Sequence, residues 1–364
     1  MIHTNPIFSG SVNISGSLNV NGESLGATAE RVRAGSSGSR PTDYENISTG
    51  SLWYNTNTLA LEVFTGVSAS WWQPIASASI SQYVIPPVAY DIEYLVVAGG
   101  GAGGGGGAGS YGGGGGGAGG YLSSSLSTIA TDSVITITVG AGGSYNTTSR
   151  GGNGVNSSIE STSGTAFTTV TAIGGGGGGE GNNDPTEELG RDGGSGGGGG
   201  YAGGSGGSGT VGQGNDGATN DQSGTAGGGG GAGAAANNTP TTGDAGDGKQ
   251  SNITGTLTYY AGGGGGGDKG SQTATTYGSP GQGGGGKGAS DYFPHNADPG
   301  TDNTGGGGGG ISTDDRAGAA GGSGVVILRI PTSKYTGTTT GSPTVTTDGT
   351  DTIITFNTSG TYTA

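Results

Sequence analysis

Apolar residues along this chain fall into short blocks, and almost every block abuts glycine. The strongest is Ile92, Tyr94, Leu95, Val96 and Val97, after which the sequence from Gly99 is glycine broken only by Ala102, Ala108, Ser110 and Tyr111. That block predicts a strand buried on both faces. The same junction recurs at 134–139, 167–173 and 257–260, and in reverse order at 325–330, which follows Gly324. Near the end, Thr/Val alternation over 344–363, interrupted at Asp348-Gly349 and resumed at Ile353-Ile354-Thr355-Phe356, predicts a closing hairpin. No stretch has the 3.6-residue period of an amphipathic helix.

The first 85 residues are patterned differently. Ser9-Gly10-Ser11-Val12-Asn13-Ile14, Ser15-Gly16-Ser17-Leu18-Asn19-Val20 and Asn21-Gly22-Glu23-Ser24-Leu25-Gly26 form a six-residue repeat, read as short strands joined by tight turns. So narrow a strip buries its apolar edge either in an ordinary β-hairpin or by wrapping three copies of the chain around one axis. Segments 50–56 and 59–64 predict two strands around a polar turn, followed by Trp71-Trp72-Gln73-Pro74-Ile75. All three tryptophans fall here and suit either a small aromatic core or a carbohydrate platform. A Ser/Ala strip and Pro86-Pro87 then read as a linker with a stiff end. Three regions follow: a β-repeat stem for attachment and trimerisation at 1–30, a small aromatic β-domain with its linker at 31–85, and a glycine-rich domain at 86–364.

Composition changes the picture for the third region. Of 364 residues 95 are glycine and only 28% are apolar, too few to build a conventional core. Glycine at this density usually means disorder, because ordering each residue costs about 1–2 kcal/mol and brings no side chain to bury. The interruptions argue otherwise. Ala102, Ala108 and Tyr111 are separated by multiples of three, and Ala202, Ser205, Ser208 and Val211 recur every third residue. Three residues per turn is the period of the polyproline II helix, which polyglycine also adopts and which makes no hydrogen bonds within itself. Runs such as 174–179 and 305–310 are bare on all three edges, as a rod surrounded by other rods would be, and six residues span about 19 Å. A net ~0.5–1.5 kcal/mol per hydrogen bond only matches the ordering cost, so a bundle of such rods needs its ends pinned by the strands. The pattern G-x-G-x-x-S-x-I at 152–159 and 246–253, each followed by a Thr-rich strand and six glycines, predicts that rods are laid down iteratively. Polar segments 180–192, 232–244 and 268–277 are expected as surface loops.

Charge and candidate chemistry narrow the function. A net charge of −15 without a Lys/Arg cluster argues against nucleic acid and anionic membrane as partners. There is no cysteine, no apolar segment near the ~20 residues of a membrane span, and no signal-peptide pattern at Met1-Ile2-His3-Thr4-Asn5-Pro6. That combination predicts assembly in the cytoplasm and release by lysis. Residues 96–104 contain the dinucleotide pattern G-x-G-x-x-G, but more glycine follows where a helix is needed. Segment 281–288 approaches a phosphate loop at Gly286-Lys287, with Gly288 where Ser or Thr should hold magnesium. Segment 151–156 matches one turn of a calcium-binding nonapeptide, with Asn156 in place of the charged ligand. Asp184, Glu187, Glu188 and Asp192 read as a weak calcium site or a solvated acidic loop. Only His3 and His295 could act as imidazole bases; His3 is expected at a mobile end, and His295 lies in a Tyr/Phe/Pro loop with no evident nucleophile beside it. No catalytic residue, cofactor or metal site is predicted.

Two features, an entry–exit pair and a terminal segment, carry a resemblance. Tyr94-Leu95-Val96-Val97-Ala98-Gly99-Gly100-Gly101 paired with Gly321-Gly322-Ser323-Gly324-Val325-Val326-Ile327, and the terminal Ile354-Thr355-Phe356-Asn357-Thr358-Ser359-Gly360-Thr361-Tyr362-Thr363, resemble the glycine-rich domain common in tailed-phage fibre proteins. Segment 50–72 resembles a module repeated in fibres of phages that infect marine cyanobacteria. The resemblance implies a virion appendage similar to the distal adhesins of T-even-type phages, in which polyglycine II helices pack into a sandwich whose tip loops meet the host receptor. The glycine-rich region of the anaplastic lymphoma kinase receptor family is also similar, with polyglycine rods inserted in a tumour-necrosis-factor-like β-sandwich, although those regions are disulfide-bonded and secreted. The expected fold is therefore all-β: a β-sandwich of jelly-roll type framing an inserted polyglycine II bundle, with essentially no α-helix. The expected function is a tail fibre or adhesin, a homotrimer attached to other virion proteins through its N-terminus and displaying a host-receptor-binding tip. Aromatics near rod ends are the receptor-contact candidates: Tyr111, Tyr121, Tyr201, Tyr277, Tyr292 and Phe293. Each could instead cover an edge of the bundle. Rival readings are a non-adhesive virion component, such as a head-decoration fibre or a tail or neck protein, and a bacterial surface or biofilm protein.

Overall fold

The computed structural model describes residues 89–106, 111–145, 149–182, 184–201, 203–220, 225–237, 242–268, 277–290, 296–312 and 317–364, together with the backbone of six short strands before residue 89. The chain divides into two units, Met1–Pro86 and Pro87–Ala364. In the first, β1 (Leu18–Val20) pairs antiparallel with β2 (Glu23–Leu25) inside the second and third copies of the six-residue repeat. The strands β3 (Arg33–Gly35), β4 (Leu52–Asn55), β5 (Ala60–Phe64) and β6 (Trp72–Pro74) form a sheet in that order, parallel between β3 and β4 and antiparallel elsewhere. The β4–β5 pair is the hairpin expected around the polar turn. Trp71 and His3 lie outside the described residues, as do the side chains of this unit.

The second unit contains β7 (Ala89–Val97), β8 (Tyr121–Ala130), β9 (Val134–Thr138), β10 (Ser157–Ser163), β11 (Val170–Ala172), β12 (Lys249–Ser251), β13 (Thr258–Tyr260), β14 (Val325–Pro331), β15 (Thr344–Asp348), β16 (Asp351–Phe356) and β17 (Gly360–Thr363). The protein is all-β. Among the described residues the one helical element is a single 3-10 turn at Thr332–Lys334. A five-stranded sheet, β15-β16-β14-β7-β8, and a four-stranded sheet, β11-β10-β9-β17, share a core that includes Ile92, Val96, Ile135, Ile137, Ile159, Leu328, Phe356 and Tyr362. A smaller core covers the other face of the larger sheet, where Leu95, Val97, Ile327 and Ile353 meet Tyr121, Ile253 and Tyr260 from β8, β13 and the β12–β13 turn. That cover decides how β7 is buried. Its side chains alternate between exposed and buried up to Tyr94 and are buried on both faces only from there, so the two-sided burial expected of the whole block holds for its second half.

The end of the chain also departs from a simple hairpin. The β15–β16 pair turns at Asp348-Gly349 as expected, with Gly349 at φ +58, but β17 leaves that sheet and pairs with β9 in the other. The alternation in Thr361-Tyr362-Thr363 accounts for this. It turns Tyr362 into the shared core, where its hydroxyl lies 2.9 Å from the Tyr90 hydroxyl, and leaves the threonines nearer solvent.

The glycine tracts continue the strands. Val97 pairs with Tyr121, and in the same register the N–H groups of Ala98, Gly101 and Gly104 donate to the carbonyls of Gly120, Gly117 and Gly114. Val97 also pairs with Val325, and Gly100 and Gly103 continue that ladder to Gly322 and Ala319. Gly99, Ala102 and Gly105 donate to Val155, Gly152 and Ser149. The carbonyls of 99–102, 104 and 105 in turn accept from Gly175, Gly143, Gly308, Gly178, Ile311 and Gly181. A strand meets a given neighbour every second residue, whereas these tracts meet one every third.

Glycine is required because each edge faces another backbone. A methyl group on Gly101 would land on the Gly176 carbonyl, on Gly103 on the Gly309 carbonyl, and on Gly116 on the Gly101 carbonyl. Where a tract has an open edge, side chains return with the same period: 204 and 207 are buried glycines, while Ser205 and Ser208 are exposed. Ala102 differs from that expectation, since its methyl is fully buried. The three polar segments are not wholly surface loops either. Glu180, Glu188, Ala236 and Asp268 are buried, and 188–191 runs as a tract, Arg191 donating from its backbone to Gly177 and Gly190 to Ser205.

Candidate functional site

The tracts have two unlike ends. One is the strand framework at Val97, Tyr121, Ile173 and Val325. At the other, Gly106 bridges Gly181, Tyr201 N–H donates to Gly112, Gly113 N–H to Ile311, and Asp268 bridges both Thr225 and Ser290. The residues that flank segments 107–110, 221–224, 269–276 and 291–295 gather here: Gly106 and Tyr111, Asn220 and Thr225, Asp268 and Tyr277, and Ser290. Ser312, next to Ile311, brings one flank of 313–316 to the same place. The cause is topological. Successive described tracts run antiparallel, so every second pair of tract ends lies opposite the strands.

This end brings together two of the six aromatic candidates. Tyr111 and Tyr201, ninety positions apart, stack with ring centroids 4.7 Å apart and planes 8° from parallel, both half-buried. Such a pair contributes about 0.5–1.5 kcal/mol beyond its burial. Tyr277 is half-buried at the same end. Tyr121 is elsewhere: as the first residue of β8 it is 5% exposed at the strand end, its hydroxyl donates to the Gln250 carbonyl at 3.1 Å, and the Lys249 ammonium sits 5.2 Å from its ring centre. Its apolar body fills the smaller core and leaves no surface to offer a receptor. Tyr292, Phe293 and His295 lie outside the described residues.

Side-chain amides and carboxylates stand in for missing neighbours along the flanks. Asn153 and Asn156 accept from the N–H groups of Gly177 and Gly174, at 3.0 and 2.9 Å, so two residues three apart reach two residues three apart. Asp244 and Asp247 do the same for Ser279 and Gln282, at 2.9 and 2.8 Å. Gln213 imitates a whole strand residue: Oε1 accepts from Ile173 N–H at 2.8 Å and Nε2 donates to the Thr171 carbonyl at 3.2 Å. Sequence reasoning missed these roles, although Asn or Asp at a spacing of three within glycine was there to be read.

The acidic residues of 180–192 act on one another's charge without closing around a shared point. Asp184 accepts from both the backbone and the hydroxyl of Thr186, which holds its carboxyl below the usual range. Burial, then Glu187 and Asp184, push the Glu180 carboxyl up, and burial does the same for Glu188. Among the described residues no three His, Cys, Asp or Glu side chains form a group that could hold a metal. The fingerprint glycines are likewise occupied, since the N–H groups of 99–105 are all spent on other tracts.

The two copies of G-x-G-x-x-S-x-I build one unit each, tract then hairpin then tract, through β10–β11 and β12–β13. Their isoleucines, Ile159 and Ile253, enter the larger and the smaller core respectively. Tracts threaded through a strand framework in this way define a glycine-rich, backbone-bonded class of domain. The family model described as the glycine-rich domain matches residues 76–331, and the chain belongs to that family. The matched stretch ends at the last residue of β14. No curated protein matches the chain.

Proposed function

We propose that this chain is a structural protein of a bacteriophage virion, a tail fibre or adhesin whose glycine tracts are polyglycine II helices and whose far end meets a receptor on the host cell. The observation that carries the reading is the one-sided gathering of the residues that flank the tract connections, among them the Tyr111–Tyr201 pair. A scaffold bonded through its main chain is indifferent to the sequence of its connections, so recognition can vary there without disturbing the fold. The three-residue spacing of hydrogen-bond partners supports the helix type. The N-terminal repeat is the segment proposed to trimerise and to attach to other virion proteins, which sedimentation of the full chain against residues 31–364 tests. Binding of the labelled protein to a panel of bacterial strains tests the adhesin role: saturable attachment to some strains is expected, and its loss in Tyr111→Ser and Tyr201→Ser variants that still fold. Attachment to none, together with a position on the particle away from the host-facing tip, would instead favour the non-adhesive virion role.

A further inference from the structure

The tract 173–181 is flanked by 149–155 and 188–192, Gly151 N–H donating to Gly178 and Arg191 N–H to Gly177. These flanks bring two guanidinium groups, Arg150 and Arg191, to one open groove of about 440 Å³. Arg150 Nη1 donates to the Thr186 carbonyl at 3.2 Å, and its backbone N–H points at Glu187 Oε2 at 3.5 Å. The Nε atoms of both arginines are buried with no hydrogen-bond partner among the described residues. Asp192, the carboxylate lining the groove, already accepts from Ser208 N–H at 2.6 Å. Burial first, and then the neighbouring Arg191, hold the Arg150 guanidinium below its ordinary value, outweighing the opposite pull of Glu187 and Asp192.

Unmet buried donors cost about 1–3 kcal/mol each, and two like charges drawn together in a chain of net charge −15 need an explanation. Guanidinium forks match the geometry of carboxylate and phosphate oxygens. Beside them the groove offers Ser205, which is exposed, and Leu189, 39% exposed, a mixed polar and apolar lining that suits a sugar ring. We propose that this groove binds the oxyanion of an acidic saccharide, either a uronate carboxylate or a sugar phosphate. The site is on the flank of the tracts, and its test does not depend on cell attachment.

Calorimetric titration of the full chain with galacturonate, glucose 6-phosphate, glucose and inorganic phosphate at constant ionic strength is the experiment. Saturable binding of one or both acidic sugars but not glucose is expected, at least tenfold weaker in Arg191→Gln; which sugar binds identifies the oxyanion. No saturable binding by either acidic sugar, inorganic phosphate bound alone, or equal affinity in Arg191→Gln would overturn the proposal. A second measurement is independent of affinity. In anion-free buffer Arg191→Leu, which removes the repulsion and the orphaned donor, melts above the parent, and saturating ligand reverses that order. A variant that melts with the parent in both buffers also overturns it.

Discussion

Gly101 and Ser205 occupy the same kind of backbone and differ only in what faces them. A methyl at Gly101 meets the Gly176 carbonyl, and a rigid tract cannot move aside without breaking the bonds on its other edges. Gly101→Ala is expected to cost roughly 3 kcal/mol or more by urea denaturation, beyond the usual price of overpacking, while Ser205→Ala stays within about 0.5 kcal/mol. Gln213→Leu tests the side chain that imitates a strand: leaving Ile173 N–H unpaired should cost about 1–3 kcal/mol. Glu180 supplies a pH signature. The folded protein keeps its proton above the ordinary value of 4.5, so the associated stability is complete below that value and is lost as pH rises through the raised one. Glu180→Gln resembles the protonated form and can still accept the Asn182 amide bond. Its melting temperature should lack that decline and exceed the parent's at neutral pH, as thermal scans from pH 4 to pH 8 would reveal.

Among the elements, β14 shows how strands hold the tracts in place. Arg329 reaches Asp348 and Asp351, both at 2.8 Å, on either side of the β15–β16 turn, and donates to the Ile253 carbonyl at 3.2 Å. The guanidinium thus ties the hairpin to the β12–β13 turn. Asp348 is partly exposed and water screens the pair, so Arg329→Met should cost only about 1 kcal/mol in urea. Strands with dense apolar blocks, such as β7, β9, β14 and β16, were legible because burial leaves an apolar signature. The ten-residue β8 was not, since Leu126 and Ile129 are its only buried positions after Tyr121 and exposed Ser and Thr residues separate them. The pairing of β17 with β9, more than two hundred positions away, leaves no local signal. The candidate site divides the same way: tyrosines next to glycine could be picked out, but the stacking of Tyr111 on Tyr201 follows from tract lengths and turns that no local pattern encodes.

For the molecule as a whole, the tracts carry the order that apolar packing carries elsewhere. Hydrogen exchange measures this directly. The amides of 100–105 and 113–120 are expected to exchange as slowly as those of β7 and β14, with protection lost in one cooperative step, because every one of them is bonded to a tract that is itself bonded onward. Fast exchange in the tracts beside slow exchange in the strands would mean that the strands fold alone. The threefold recurrence of partners also constrains how such a chain can change length. Adding or deleting a single glycine within 99–105 rotates everything beyond it by a third of a turn and presents each following N–H to the wrong neighbour. Three residues restore the phase, so viable length variants of these tracts should come in triplets.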